Sequence, residues 1–364
     1  MEPNSLGLSK LPEHTRVCVA MSGGVDSSAT VCLLKQQGYD VFGLTMDLLE
    51  PPYAPAVSSI ADAARVARKL GIEHEYIDMK AEFRREVVDY FTNTYLSGRT
   101  PSPCLMCNKQ IKLGLLAEEA RKRGADILVT GHYAEVRIAE SGAELYRGAD
   151  PARDQSYFLF AVSKKNLQML RCPLAAYSKE QTRALAAEAG LDIARKADSQ
   201  DICFVNNGKY AELIAALKPE FKNIPGEITT AAGEVLGTHK GLVNYTIGQR
   251  RGLGIGGRKG HDEREIWYVT ALDAVHNRVI VGSEAELFCS EVRINALNWL
   301  GEERPGILEC AVKLRSRQPL VPAKVEFEGN GAVVRLQQKF AAAAPGQGCC
   351  FYSGNRVMGG GFIC

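Results

Sequence analysis

The chain has no apolar run approaching the roughly 20 residues a membrane span needs, so no membrane partner is expected. The opening residues, MEPNSLGLSKLPEHTR, hold no apolar signal region. Nothing there points to export, and a cytoplasmic location is expected. Neither sign of charge prevails: 44 Lys and Arg stand against 42 Asp and Glu, for a formal +2. A basic surface for nucleic acid would therefore have to be local. Internal repeats and low-complexity tails are absent. The chain has a single C-x-x-C, Cys104 to Cys107, and no matching His pair. The usual ligand pattern of a structural zinc site is thus missing. What the sequence does have is 11 cysteines in 364 residues, which without export read as thiols rather than a disulfide framework.

The first ~200 residues alternate short apolar runs with helical patterns, at a spacing that predicts a parallel, doubly wound α/β sheet. Expected strands are VCVAM (17–21), YDVFGLTM (39–46), HEYIDM (74–79) and ADILVTG (125–131). Expected helices are 29–37, 58–71, 81–98 and a stretch around Gln110–Arg123. Ser178 with Gln181 predicts a capping box opening a helix that Gly190 closes. After about residue 206 the rhythm changes to a short helix, paired glycines and β-like runs. From about 270 onward short strands with tight turns predict an all-β barrel. The division read from this is a nucleotide-binding catalytic domain over 1–205, a small mixed linking domain over 206–271 and a C-terminal β-barrel over 272–364. In a doubly wound sheet the ligand sits beyond the C-terminal strand ends. Cys349 and Cys350, in an apolar β run, are expected to pack.

Directly after the first strand comes Ser22-Gly23-Gly24-Val25-Asp26-Ser27-Ser28, then a helix. Two glycines permit a tight turn, three hydroxyls add donors, and a helix N-terminus favours an anion. It is a phosphate cradle, yet not a Walker loop, since no Gly-Lys-Ser/Thr follows. SGGxDS resembles the motif of the ATP-pyrophosphatase superfamily, whose members split ATP between the α- and β-phosphates. That resemblance makes Asp26 a Mg²⁺ or pyrophosphate-side residue. Cys107 stands just before the expected helix start at Asn108-Lys109, where the helix end and Lys109 would lower its pKa and favour the thiolate. Cys203 follows in DSQDICFV.

Taken together, AMSGGVDSS (20–28), GLTMD (43–47), RTPSPCLMCNKQIK (99–112), TGHYA (130–134), RDQSYFL (153–159), DSQDICF (198–204), PGEI (225–228), NYTIGQRRGLG (244–254), APGQ (344–347) and GGGFI (359–363) resemble the tRNA-specific 2-thiouridylases. These enzymes place sulfur on C2 of the wobble uridine. The resemblance implies that Ala20, Met21, Ser22, Gly23, Gly24, Val25, Asp26 and Ser27 hold ATP, with Met46 and Gly131. It implies Cys107 as nucleophile and Cys203 as the persulfide carrier, the two ending as a disulfide. Ser102, Pro103 and Cys104 would face the target base. His132, Arg153, Asp154, Gln155, Arg315, Ser316 and Gln347 would touch tRNA. Arg250 and Arg251, with Arg258 and Lys259, suit a grip on backbone phosphate. ATP with Mg²⁺, tRNA, a persulfide-donating relay protein or cysteine desulfurase, and a reductant are the implied cofactors and partners.

One departure matters. Many family members have an acidic residue where this chain has Cys104. Cys104, Cys107 and Cys203 could instead be three ligands of a [4Fe–4S] cluster, giving the same overall reaction. Two further readings are a synthetase adenylating a small-molecule carbonyl and a non-catalytic RNA-binding protein with a vestigial nucleotide site.

Overall fold

The computed structural model describes residues 2–50, 57–195, 202–205, 210–220, 223–255 and 266–364. Its first sheet is built on β1 (Arg16–Ala20), whose Val17, Cys18 and Val19 are fully buried between helices on both faces. The chain runs through α1 (Val25–Gln36) to β2 (Asp40–Asp47), then through α2 (Val57–Leu70) to β3 (Glu73–Asp78). It returns through helix α3 (80–96), which is π-helical over Arg84–Val88, and through helix α4 (103–122). It then enters β4 (Ile127–Val129) on the other side of β1. After the hairpin of β5 (Ala134–Ala139) and β6 (Gly142–Arg147), β7 (Leu170–Arg171) completes the order β3-β2-β1-β4-β7. Every pairing in that sheet is parallel. Strand order reverses between β1 and β4, so their C-terminal ends open the crevice in which such sheets bind ligands. Helix α5 (Lys179–Glu188) carries the expected Ser178–Gln181 capping box.

Helix α4 starts earlier than the sequence suggested. It begins at Pro103, where proline's fixed φ suits the first helical position and its missing N–H costs nothing. The stretch Cys107–Leu115 is π-helical, and Leu116–Lys122 finishes as α-helix.

Helix α6 (Tyr210–Leu217) leads to a second sheet, ordered β10-β11-β8-β9. Its strands are β8 (Gly226–Thr230), β9 (Val235–His239), β10 (Tyr268–Asp273) and β11 (Arg278–Gly282). Residue 271, where the sequence suggested a division, lies inside β10. The β10–β11 hairpin stays with the middle sheet because β11 pairs in parallel with β8. The C-terminal strands are β12 (Phe288–Trp299), β13 (Ile307–Lys313), β14 (Val321–Glu328), β15 (Gly331–Ala341), β16 (Gly348–Ser353) and β17 (Arg356–Ile363). They form an antiparallel barrel that β12–β17 pairing closes.

Two features tie this barrel to the parallel-sheet domain. The β5–β6 hairpin adds to its sheet through β17 and β6, with Val357 opposite Leu145. The vicinal cysteines are both fully buried and, by strand alternation, face opposite ways. Cys349 lies in the barrel core, while Cys350, with Tyr352, joins the large core that holds Leu105, Phe160 and Phe204.

Candidate active site

At the end of β1 the backbone turns at Gly23, whose φ of 68° is one that glycine takes without strain. Gly24 then caps α1. The serines fold the turn onto itself: Ser22 N–H donates to Ser27 Oγ (3.2 Å), and Ser28 Oγ donates to the Gly24 carbonyl (2.9 Å). Met46, half-buried on β2, packs against the core beneath this end of the sheet. Ala20, Met21, Val25 and Ser27 stand on the same strand–turn–helix unit.

Asp26 in the first turn of α1 is not solvated alone. Lys179 Nζ donates to both its oxygens, at 2.7 and 2.9 Å, and the Tyr133 hydroxyl donates at 2.9 Å. Neither partner was singled out from sequence. A signal for Lys179 existed, because a cation in the first turn of α5 opposes the helix dipole and needs an anion to hold it there.

Gly131 sits against the same turn. A Cβ at this position would come within 2.9 Å of the Asp26 backbone and of Ser27 N. Gly131→Ala must therefore push the loop away. Tyrosine-anchored Asp26 cannot follow freely, and a displacement near 1 Å costs about 10²-fold in a positioned reaction. The expected result is a loss of that size in tRNA-dependent pyrophosphate release, with folding unchanged by circular dichroism.

The next residue, His132, belongs to a different neighbourhood. Its Nδ1 lies 2.7 Å from Thr130 Oγ1. Burial, with the charge of Lys112 added, pulls its pKa down to about 3, so the ring is neutral at physiological pH. Lys112 also acts on Cys104, Cys107 and Cys203, and the Cys203 thiol feels both other cysteines. The fold thus gathers these cysteines from α4 and from the segment 202–205. That segment is anchored by Phe204, which stacks edge-on against Phe83 (5.6 Å) and Phe91 (5.1 Å).

The expected activation of Cys107 is not what the structure has. Cys107 stands in the second turn of α4 rather than ahead of it, and the dipole acts mainly within the first turn. Burial pushes its thiol up to about 11 and that of Cys203 up to about 12. The cation opposing this is Lys112, not Lys109. Among the described residues, no three His, Cys, Asp or Glu side chains are grouped so as to hold a metal ion.

The loop before α4 is clamped by the barrel. Thr100 N–H donates to the Pro345 carbonyl (2.8 Å), and Arg99 donates to the Ile363 carbonyl (3.0 Å). Gln347 Nε2 donates to the carbonyls of Thr100 (3.2 Å) and Pro101 (2.9 Å). Ser102 N–H donates to the Tyr90 hydroxyl, Pro103 is buried, and Cys104 is exposed. Gln347 therefore positions the cysteine loop directly.

Of the other expected tRNA contacts, Arg153 is exposed, while Arg315 and Ser316 are half-buried. Gln155 accepts from Tyr133 N–H at 3.0 Å. Asp154 is a correction. Its side chain is fully buried, and its oxygens accept from Arg147, Lys313, Gly148 N–H and Ser156 N–H. That carboxylate ties β6 to β13 and presents nothing to an RNA. Arg250 and Arg251 are exposed beyond the middle sheet, whereas Arg258, Lys259 and the DSQD of residues 198–201 lie outside the described residues.

Family models match almost the whole chain. Residues 15–207 match a tRNA methyl transferase HUP domain, 215–283 a tRNA methyl transferase PRC-barrel domain, and 289–363 an aminomethyltransferase beta-barrel domain. The tRNA-specific 2-thiouridylase MnmA of Rhodospirillum centenum is 47% identical over 370 residues, covering 99% of this chain and 94% of its own. That of Paramagnetospirillum magneticum is 48% identical over 375 residues, covering 99% and 98%. Among solved structures, the U34-tRNA thiolase NcsA from Methanococcus maripaludis with its [4Fe-4S] cluster has a TM-score of 0.38 and 16% identity. It covers 59% of this chain and 68% of its own, a likeness too loose to carry an argument.

Proposed function

The chain belongs to the tRNA-specific 2-thiouridylases, and from that premise we infer how its residues divide the ATP-dependent placing of sulfur on C2 of the wobble uridine. The observation that carries the division is the Gly131–His132 step. One residue abuts the phosphate loop and the next shares the field of Lys112 with the cysteines. Nucleotide and sulfur chemistry are thereby brought to the same base. The HUP and barrel descriptions mention methyl transfer, but methyl transfer needs neither an ATP-splitting loop nor two thiols in mutual reach.

Residues Ala20–Ser27, with Met46 and Gly131, take ATP, their N–H groups and hydroxyls meeting the phosphates. Asp26 is the carboxylate that would hold Mg²⁺ once Lys179 gives up one of its oxygens, and the bound ion would neutralise charge on the departing pyrophosphate. The uracil O2 attacks the α-phosphorus and pyrophosphate leaves, so that the poor leaving oxygen becomes AMP. A persulfide on Cys203, loaded by a sulfur-relay protein or cysteine desulfurase, then attacks C2 through its outer sulfur, and AMP departs with the C–O electron pair. The Cys107 thiolate next attacks Cys203 Sγ. Its bond to Cys203 forms, the persulfide S–S bond breaks, and that electron pair stays with the sulfur now on the base. The resulting disulfide needs two electrons from a thiol reductant before the next turnover.

Ser102, Pro103 and Cys104 lie against the base, which must be unstacked to reach them. His132, Arg153, Gln155, Arg315, Ser316 and Gln347 line the RNA side, and Arg250 and Arg251 grip backbone phosphate. A small-molecule acceptor is not favoured, since identity to the thiouridylases runs through the barrel as well as the loop.

The test is reconstitution with tRNA transcript, ATP and a persulfide-loaded donor. One AMP and one pyrophosphate per 2-thiouridine are expected, with no pyrophosphate release without tRNA. Protein purified without oxygen should contain far less than one iron per chain. About four irons, lost on Cys104→Ser, would overturn the persulfide route in favour of a cluster.

A further inference from the structure

Helix α4 is not α-helical where its chemistry lies. In an α-helix, at 3.6 residues per turn, the side chain five positions after Cys107 would point roughly 140° away from it. Over Cys107–Leu115 the ladder is instead π-helical, and the Leu116 N–H donates to the Ile111 carbonyl five residues back. Five-residue bonding puts more residues in each turn, so the angle between side chains five apart narrows. It therefore turns Lys112 toward the face that carries Cys107. The rotation is fixed by neighbours: Ile111 and Leu113 are fully buried, and Asn108 Nδ2 donates to the Phe158 carbonyl at 2.9 Å.

We propose that Lys112 is the positioning cation of sulfur transfer, its ammonium holding the transferring sulfur as an anion at Cys107 and Cys203. It rests on the thiouridylase reading for what the anion does, but the anion itself needs neither ATP nor tRNA. Among the described residues, the titratable groups that share its field are Cys104 and Cys107 on its own helix, Cys203 from the segment 202–205 and His132 from the loop after β4. Among the described residues, no carboxylate acts on any of these four. Asp198 and Asp201, near Cys203 in the chain, lie outside the described residues. His132 stays neutral beside it, so Lys112 is the cation that supplies the charge there. Burial raises both thiols, and the charge of Lys112 is what opposes that rise at each of them.

The experiment is alkylation by iodoacetamide across pH 6–10 on the full chain, with each cysteine followed at peptide level by mass spectrometry. Lys112→Met is expected to slow alkylation of Cys107 and Cys203 about tenfold at pH 8, as a one-unit rise in thiol pKa requires. Lys112→Arg is expected to restore the parent profile. Cys364, exposed and distant in sequence, serves as the internal control and should not change. A methionine variant whose profile matches the parent overturns the proposal. So does a slowed profile that arginine fails to restore, because packing rather than charge would then be responsible. Circular dichroism and tRNA binding of both variants separate misfolding from loss of charge. Should the thiouridylase assignment fail instead, reconstitution fails while the alkylation shift stands.

Discussion

A Cys203→Ser enzyme is expected to bind ATP and tRNA as the parent does and to form no 2-thiouridine, with activity down by at least about 10³-fold. Serine is close in size to cysteine, and the segment's position is set by its neighbour Phe204, buried to 1% exposure between Phe83 and Phe91. The substitution therefore removes only the sulfur atom that can bear a sulfane sulfur. Cys107→Ser fails differently. Sulfur is expected to reach the base without the bond from that sulfur to Cys203 being cut, so that a covalent enzyme–tRNA adduct accumulates until a thiol reductant releases it. Denaturing electrophoresis with and without reductant distinguishes the two. Full activity of Cys203→Ser with sulfide excluded would remove Cys203 from the pathway. A parent-like Cys107→Ser would leave the half-buried thiol beside Lys112 without a purpose.

Asp154→Ala is expected to be among the most destabilising single changes. It strips the common partner from Lys313, 6% exposed, and from Arg147, 19% exposed. Removing one member of a buried ionic cluster leaves uncompensated charge and costs about 3–5 kcal/mol. Burial alone would raise the Asp154 pKa, yet hydrogen bonds from Ser156 and the charges of Lys313 and Arg147 outweigh it and hold the carboxyl below the ordinary range. A carboxyl depressed in the folded state lends stability above its unfolded pKa near 4, and that stability is lost as pH falls through the lower folded value. Calorimetry should therefore show the variant melting well below the parent at pH 7, with the gap closing toward pH 3. Equal midpoints at pH 7 would mean the cluster adds nothing.

The phosphate loop was legible because its chemistry is local: small donors, two glycines and a helix start within a few residues. The Ser178–Gln181 box was legible for the same reason. That Cys107 and Cys203 share one neighbourhood was legible only through resemblance, since no periodicity brings together two thiols so far apart. The true start of α4 was written in Ser102-Pro103, a cap position followed by the proline of a first turn, but the apolar pattern further on drew the boundary past it. Asp154 could not be placed, because its burial depends on Lys313 in a strand of another domain. The π-helical ladder that brings Lys112 to Cys107 has no residue signature of its own, so the charge was assigned to the adjacent Lys109 instead. Likewise β10 and β11 read as ordinary hairpin strands, and only their pairing with β8 decides which sheet they join.

The clamp on Arg99–Pro101 has a consequence for how the enzyme comes into being. A ribosome has delivered the phosphate loop, both cysteines and their lysine long before it delivers Pro345, Gln347 and Ile363, which fasten the cysteine loop. The β5–β6 hairpin waits just as long for its partner β17. A nascent chain that has folded its parallel sheet thus carries the loop that leads into α4 unfastened. Only when the barrel closes does that loop gain its fixed position, so the order of folding runs from sheet to barrel to loop.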